Sequence, residues 1–321
     1  MLCPPVVARY PARQARGRTE KTGWKPLLLW ICYIAMPGSV LIVGCGFVGL
    51  PLARDFASSG WETHATTASD ASVAKLHQER FRAYALDITD ESGLQKLARR
   101  DFDVVIHCAS SGRGAASDYK AVFFSGTRNL MSNLECKNFI FSSSTSVYAQ
   151  TDSSWVDERS PANPSRETGQ ILRATEDLVL GAGGAVARLA GLYGPGRCVP
   201  LQKLLEDKAI IHGSGDRVMN MMHQNDAAAA LRFLAETKST GLFNAVDNQP
   251  VAELDWFRYV CDLLGKPLPP YGPREVNPKR GWTSKRVSNR KLRSLGWKAL
   301  YPTFREGVAA ILGGVENWHP S

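Results

Sequence analysis

The sequence predicts an α/β protein: a doubly wound parallel sheet with a smaller C-terminal part. Two observations carry this. Short apolar runs recur from residue 40 onward with helical stretches between them, so successive strands run parallel through right-handed crossovers. The first run, Val40-Leu41-Ile42-Val43, enters a glycine-rich turn, Gly44-Cys45-Gly46-Phe47-Val48-Gly49, and Leu50 to Phe56 then continue as a helix. With 321 residues the chain can bury a sizeable core, as one large domain or two closely joined ones.

G-x-G-x-x-G between a strand and a helix has the form of a dinucleotide site. Gly44 makes the tight turn, Gly46 lets the backbone at Phe47 and Val48 approach a diphosphate, and Gly49 packs helix against strand. The helix start adds unpaired N–H groups and a positive dipole end. Alone the motif is weak; its flanking strand and helix make it informative. Trp61 to Thr67 fits a second strand. About 20 residues past the first glycine an NAD site carries an acid for the ribose, yet Thr66, Thr67, Ala68 and Ser69 stand there. Small hydroxyl residues leave room for a 2′-phosphate, so NADP is expected over NAD, with Thr67 in contact. Asp70 is expected as the N-cap of a helix over 71–80.

Phe81 to Leu86 is a third strand, closing with Asp87-Ile88. Asp103 to Ser110 is a fourth, and its small terminal residues Cys108, Ala109 and Ser110 leave space for a cofactor at the strand ends. A helix over about 117–134 leads to a fifth strand, Asn138 to Phe141, which opens into Ser142-Ser143-Ser144-Thr145-Ser146-Val147-Tyr148. That hydroxyl cluster either hydrogen-bonds a substrate or merely caps the strand; spacing does not choose between them. His107, on a core strand, reads as a satisfied buried histidine. Ala185-Val186-Ala187 is a sixth strand, Asp226 is expected to cap the Ala-rich helix that follows it, and further helices are expected near 253–265, 288–295 and 303–312.

Charge and cysteine usage narrow the function classes. Arg9, Arg13, Arg16, Arg18, Lys21 and Lys25 against Glu20 place +5 of the net +9 before residue 36, leaving +4 for the rest. The body of the protein has no nucleic-acid charge pattern. Seven scattered cysteines without a C-x-x-C pair read as reduced thiols in a cytoplasmic setting, with no metal site. Residues 1–35 are rich in Arg, Pro and Ala and end in Leu27-Leu28-Leu29-Trp30-Ile31-Cys32-Tyr33-Ile34-Ala35, too short for a span of roughly 20 residues. The run fits a signal-peptide core or an organelle transit peptide, which would move the protein to a stroma or matrix. Met36-Pro37-Gly38-Ser39 looks like a natural start, so residues 1–35 are expected to be removed, disordered or mis-assigned.

The ordered motifs resemble the extended short-chain dehydrogenase/reductases, the NAD(P)-dependent epimerase/dehydratase superfamily. They are Gly44-x-Gly46-x-x-Gly49, Asp87-Ile88, Val105-Ile106-His107-x-Ala109, Gly126-Thr127-x-Asn129-Leu130, Ser143-Ser144-x-x-Val147-Tyr148, Arg188-x-x-x-x-Tyr193-Gly194-Pro195-Gly196, His223-x-x-Asp226, Gly241 to Ala245, and Leu292 to Trp297. The resemblance implies a Rossmann-type cofactor domain over 36–190, rejoined by 226–246, with 191–225 and 247–321 as the substrate-binding part. It implies an NADP or NAD cofactor held also by Ser142 and Leu189, and a small, nucleotide-sugar-type substrate met by Thr145, Tyr148, Gly191 and Arg197. Homodimers are common among relatives. The family's Tyr-x-x-x-Lys pair is missing: its places fall on Thr168 and Leu172, and the Asn of the preceding helix is Phe123. A lysine one helical turn away would lower the tyrosine pKa from ~10, so its loss removes the usual proton relay. The chain is similar to an atypical bacterial subgroup with that loss. Ser144, Thr168 and His223 are the remaining candidate catalytic residues. Two functions stay open: an epimerase, dehydratase or reductase with a non-standard catalytic set, or a silent NAD(P)H-binding sensor.

Overall fold

The computed structural model describes residues 38–313 apart from 96, 98, 99, 113, 114 and 275–281. The expectations for residues 1–35 lie outside the described residues. Seven strands form the central sheet: β1 (Ser39–Val43), β2 (Glu62–Thr67), β3 (Arg82–Ala85), β4 (Phe102–His107), β5 (Cys136–Ser144), β6 (Ala185–Leu189) and β7 (Gly241–Ala245). All neighbours are parallel, in the order β7-β6-β5-β4-β1-β2-β3. The order reverses between β1 and β4, and the glycine loop leaves β1 at that switch point, where ligands of such sheets bind. Val40 to Val43 are fully buried, as a central strand covered on both faces must be.

Helices cover the sheet: α1 (Gly49–Ser58), α2 (Asp70–Ala74), α3 (Glu91–Leu94), α4 (Ala116–Tyr119), α5 (Gly126–Asn133) and α6 (Glu167–Gly181). The helix expected over 117–134 is α4 and α5 joined by a π-helical stretch, Lys120–Ser125. The helix expected over 71–80 stops at Ala74. Its cap also differs: the Ser69 side chain accepts the Ser72 N–H, and Asp70 is the first helical residue. A serine in extended conformation serves there as well as an aspartate would.

The remainder comprises α7 (Val199–Leu205), α8 (Gln224–Glu236), α9 (Glu253–Leu264), α10 (Arg290–Ser294) and α11 (Phe304–Gly313). Asp226 does not cap α8. His223 does, accepting the Asn225 N–H on its ring, while the Asp226 carboxylate accepts the N–H groups of Leu300 and Tyr301 at 2.6 and 3.1 Å. The core falls into two clusters, one around the sheet and one joining Tyr193, Leu201, Trp256, Phe257 and Phe304. Met221 and Met222 are buried in these clusters. No described helix is long and apolar enough to cross a membrane.

Candidate functional site

The glycine loop is built as its spacing requires. Gly44 has φ +93°, and a Cβ there would strike the Ala109 backbone; one on Gly49 would strike the Gly44 carbonyl. A Cβ on Gly46 would meet nothing within 4 Å, so the loop turns an open backbone face outward there. The Gly44 and Cys45 N–H groups both donate to the Thr66 carbonyl, at 3.2 and 2.7 Å, clipping the loop to the end of β2. No side chain caps α1 at Val48; the Leu50 N–H donates to the Gly46 carbonyl at 2.9 Å and Pro51 has none, so the Gly49 N–H is the first-turn donor left for an anion. These residues fit a dinucleotide diphosphate.

The parallel sheet brings the other strand-end candidates to the same edge. Thr67 ends β2, and its hydroxyl is taken locally, donating to the Ser69 carbonyl at 3.3 Å. After β3, Asp87 closes a turn by accepting the Thr89 N–H and hydroxyl. Asn129 holds the Ile88 carbonyl at 3.1 Å, and a Cβ on Gly126 would press on the Ile88 side chain. Asn129 was visible in the motif but its positioning role was not, because 41 residues separate the partners. At the end of β4, His107 is fully buried; it accepts the Ala109 N–H at 3.2 Å and its Nε2 lies 3.3 Å from the Val122 carbonyl. Burial pushes its pKa down to about 4, so it is a neutral bracket for Ala109. Burial likewise pushes the Cys45 and Cys108 thiols up, to about 11 and 12, and both stay protonated. Ser110 follows them, half-way into the turn that Gly112 closes by donating to its hydroxyl.

The hydroxyl cluster after β5 is divided among jobs. Ser142 donates to the His107 carbonyl at 2.9 Å. Ser143 donates to Glu176 at 2.5 Å. The Ser144 hydroxyl accepts the Ser146 N–H at 3.2 Å and so caps the turn Thr145–Val147, with Thr145 itself buried. Tyr148, expected to meet substrate, is fully buried; its hydroxyl donates to the Asp157 carbonyl at 2.7 Å and its ring lies 4.7 Å from the Arg188 guanidinium. That expectation is corrected: the ring is part of the core. Glu176, fully buried, also accepts from Arg188 Nε and Nη2 at 3.0 and 2.6 Å and from Arg173. This network joins α6, β5 and β6, and sequence spacing alone gave no sign of it.

Thr168 is half-buried in the first turn of α6, and Leu172, one turn on, is 5% exposed in the main core. No ammonium can therefore act from the lysine place. His223 is 3% exposed, its ring lies 5.4 Å from that of Tyr193 and 4.2 Å from that of Tyr301, and its Nδ1 lone pair is spent on the α8 cap. Burial pushes its pKa down to about 4. The ring thus caps α8 through Nδ1. Leu189 is buried at the end of β6, and Gly191 packs on Asn220, donating to its carbonyl at 3.0 Å. Gly191 itself is half-buried. The Arg197 guanidinium lies 4.7 Å from the Phe47 ring in the glycine loop.

A cleft of about 670 Å³ flanks the glycine loop on the α8 side, between Cys45, Phe47, Leu50 and Arg54 and the facing Gln224, Asn225 and Leu300. None of the strand-end residues of β3 to β6 lines it. Among the described residues, no group of three or more His, Cys, Asp or Glu side chains could hold a metal ion.

The sequence model of the NAD dependent epimerase/dehydratase family matches residues 40–245. Protein YeeZ of Escherichia coli (strain K12) is 26% identical over 244 residues, covering 72% of this chain and 86% of that protein. The 3-diazoavenalumate denitrifying reductase of a Streptomyces species is 26% identical over 306 residues, covering 84% and 98%. A solved protein of Methylobacillus flagellatus assigned to the NAD-dependent epimerase/dehydratases superposes with a TM-score of 0.72 at 27% identity, covering 87% of this chain and 99% of that one.

Proposed function

The chain belongs to the NAD dependent epimerase/dehydratase family, and from that premise we propose that it is an oxidoreductase-type epimerase, dehydratase or reductase acting on a nucleotide-sugar-type substrate. The glycine loop carries this reading: its open face at Gly46 and uncapped α1 stand at the switch point of a parallel sheet. Gly46, Phe47 and Val48 would hold the diphosphate, with Ile88, Ala109 and Ser142 along the strand ends. The nicotinamide, when bound, supplies hydride transfer. Residues 191–225 and 247–321 are taken as the substrate-binding part.

The chain's own residues set the limits of the proton chemistry. Thr168 can donate or accept a hydrogen bond, but a hydroxyl beside the apolar Leu172 is a poor acid or base near neutral pH. Proton transfer therefore falls to the substrate, to solvent, or to Thr168 as a relay between them. The Streptomyces relative, a reductase by name, supports a net reduction as the second reading within this class. Ser69 and not Asp70 caps α2, which frees the Asp70 carboxylate and weighs against the NADP expected from the small residues at Thr67. NAD is the better fit, with Asp70 exposed beyond the end of β2.

The test incubates the full chain with NADH and then NADPH against a panel of nucleotide-sugars plus 3-diazoavenalumate, following absorbance at the nicotinamide band and products by mass spectrometry. Turnover of a nucleotide-sugar supports the first reading, and oxidation of NADH by the diazo acid alone supports the second. Tight dinucleotide binding with no turnover would instead favour the sensor. Gly46→Val, where space is free for the fold but not for ligand, should abolish binding while leaving the unfolding midpoint near that of the wild type.

A further inference from the structure

We infer that Arg197 is the counter-ion of the cofactor's diphosphate, delivered to the glycine loop by a rigid hairpin from the far side of the site. The inference rests on the dinucleotide reading above and departs from the expectation that Arg197 meets substrate. Four observations carry it. The Arg197 guanidinium lies 4.7 Å from the ring of Phe47, the residue whose backbone would touch the diphosphate. No Lys or Arg occurs between residues 38 and 53, so the loop brings no cation of its own. The next basic residue, Arg54, is committed to Glu79 at 2.6 Å. The hairpin that carries Arg197 is fixed on both sides: Gly194 and Arg197 exchange backbone hydrogen bonds of 2.9 and 3.0 Å, and Tyr193 and Cys198 on either side are both 1% exposed.

Helix-start donors alone stabilise an anion only modestly. A diphosphate carries two charges, and a planar guanidinium meets phosphate oxygens in a bidentate fork that a backbone N–H cannot supply. Stacking on Phe47 holds that fork beside the loop and lowers the side-chain entropy lost on binding. Arg197 thereby couples the substrate-side hairpin to occupancy of the cofactor loop.

The experiment titrates full-length wild type, Arg197→Ala, Arg197→Lys and Gly46→Val with NADH by fluorescence, and with ADP-ribose, AMP, adenosine and UDP-glucose by competition or calorimetry. Arg197→Ala should weaken NADH and ADP-ribose roughly tenfold or more, AMP less, and adenosine not at all; Arg197→Lys should recover part of the loss. Unchanged NADH affinity, or a loss confined to UDP-glucose, would return Arg197 to the substrate and overturn the inference. An equal loss for adenosine, which has no phosphate, would reduce it to a structural role and overturn it as well. If wild type binds no NADH, or Gly46→Val binds it normally, the dinucleotide reading itself fails and the inference with it.

Discussion

Ser69 and Asp70 show how one residue's task changes the chemistry of its neighbour. With the Ser69 hydroxyl on the Ser72 N–H, the Asp70 carboxylate is released from capping, 26 residues past Gly44 on the segment that leaves β2. No Lys or Arg lies between residues 55 and 74 to receive a 2′-phosphate. A carboxylate accepts the two ribose hydroxyls of NAD and repels the extra phosphate of NADP. Wild type should therefore bind NADH about tenfold or more tighter than NADPH, a difference of about 1.4 kcal/mol. Asp70→Asn should shrink that ratio and Asp70→Arg should reverse it. Fluorescence titration with both cofactors reads the outcome, and an NADPH preference in wild type would point back to Thr67.

At the scale of elements, Glu176 and Arg188 lock α6 against β5 and β6. Two ionic side chains, 0% and 2% exposed, face each other with Ser143 completing the carboxylate's hydrogen bonds. A pair buried like this adds little net stability over an apolar one, but removing one partner strands the other. Glu176→Gln should cost about 3–5 kcal/mol, measured as a drop in the urea midpoint at constant slope. Because Arg188 lies under the Tyr148 ring, the double change Glu176→Leu with Arg188→Met should cost less than the single change. A loss no larger in Glu176→Gln than in a surface control would show that water reaches Arg188.

Across the whole molecule, Asp247 helps dock the C-terminal segment onto the sheet. Its Oδ1 accepts the Gln249 N–H at 3.1 Å, its neighbour Asn248 donates to the Pro302 carbonyl, and its Oδ2 is buried among the described residues without a hydrogen-bond partner, as is the Tyr193 hydroxyl. Burial raises the Asp247 pKa well above the ordinary carboxylate value, with nearby Asp226 and Glu306 adding to it. A folded-state pKa above the unfolded value gives stability that is full below pH ~4 and lost as pH rises through the folded pKa. Asp247→Asn carries no charge to bury, so it should match wild type near pH 4 and become the more stable protein at higher pH. The gap should widen by up to about 1.4 kcal/mol per pH unit until the folded pKa is passed. Urea midpoints at pH 5, 7 and 9 check this; a constant gap would mean that Asp247 is not the titrating group.

Sequence alone determined the strand–helix alternation, the parallel sheet and the glycine loop, because local periodicity and the steric freedom of Gly44, Gly46 and Gly49 are properties of neighbouring residues. It also identified His107 as a satisfied, buried core histidine, and the missing Tyr and Lys were legible as Thr168 and Leu172. Tertiary structure decided what contacts across the chain decide. Which residue caps α2 or α8 depends on backbone angles at Ser69 and His223 that helix propensity does not resolve. Tyr148 and Glu176 became core groups only once β5, β6 and α6 met, over separations of 9 to 33 residues. Arg197 reached Phe47 across 150 residues of chain, a proximity created by the sheet bringing its strand ends to one edge, where distance along the sequence no longer measures distance in space.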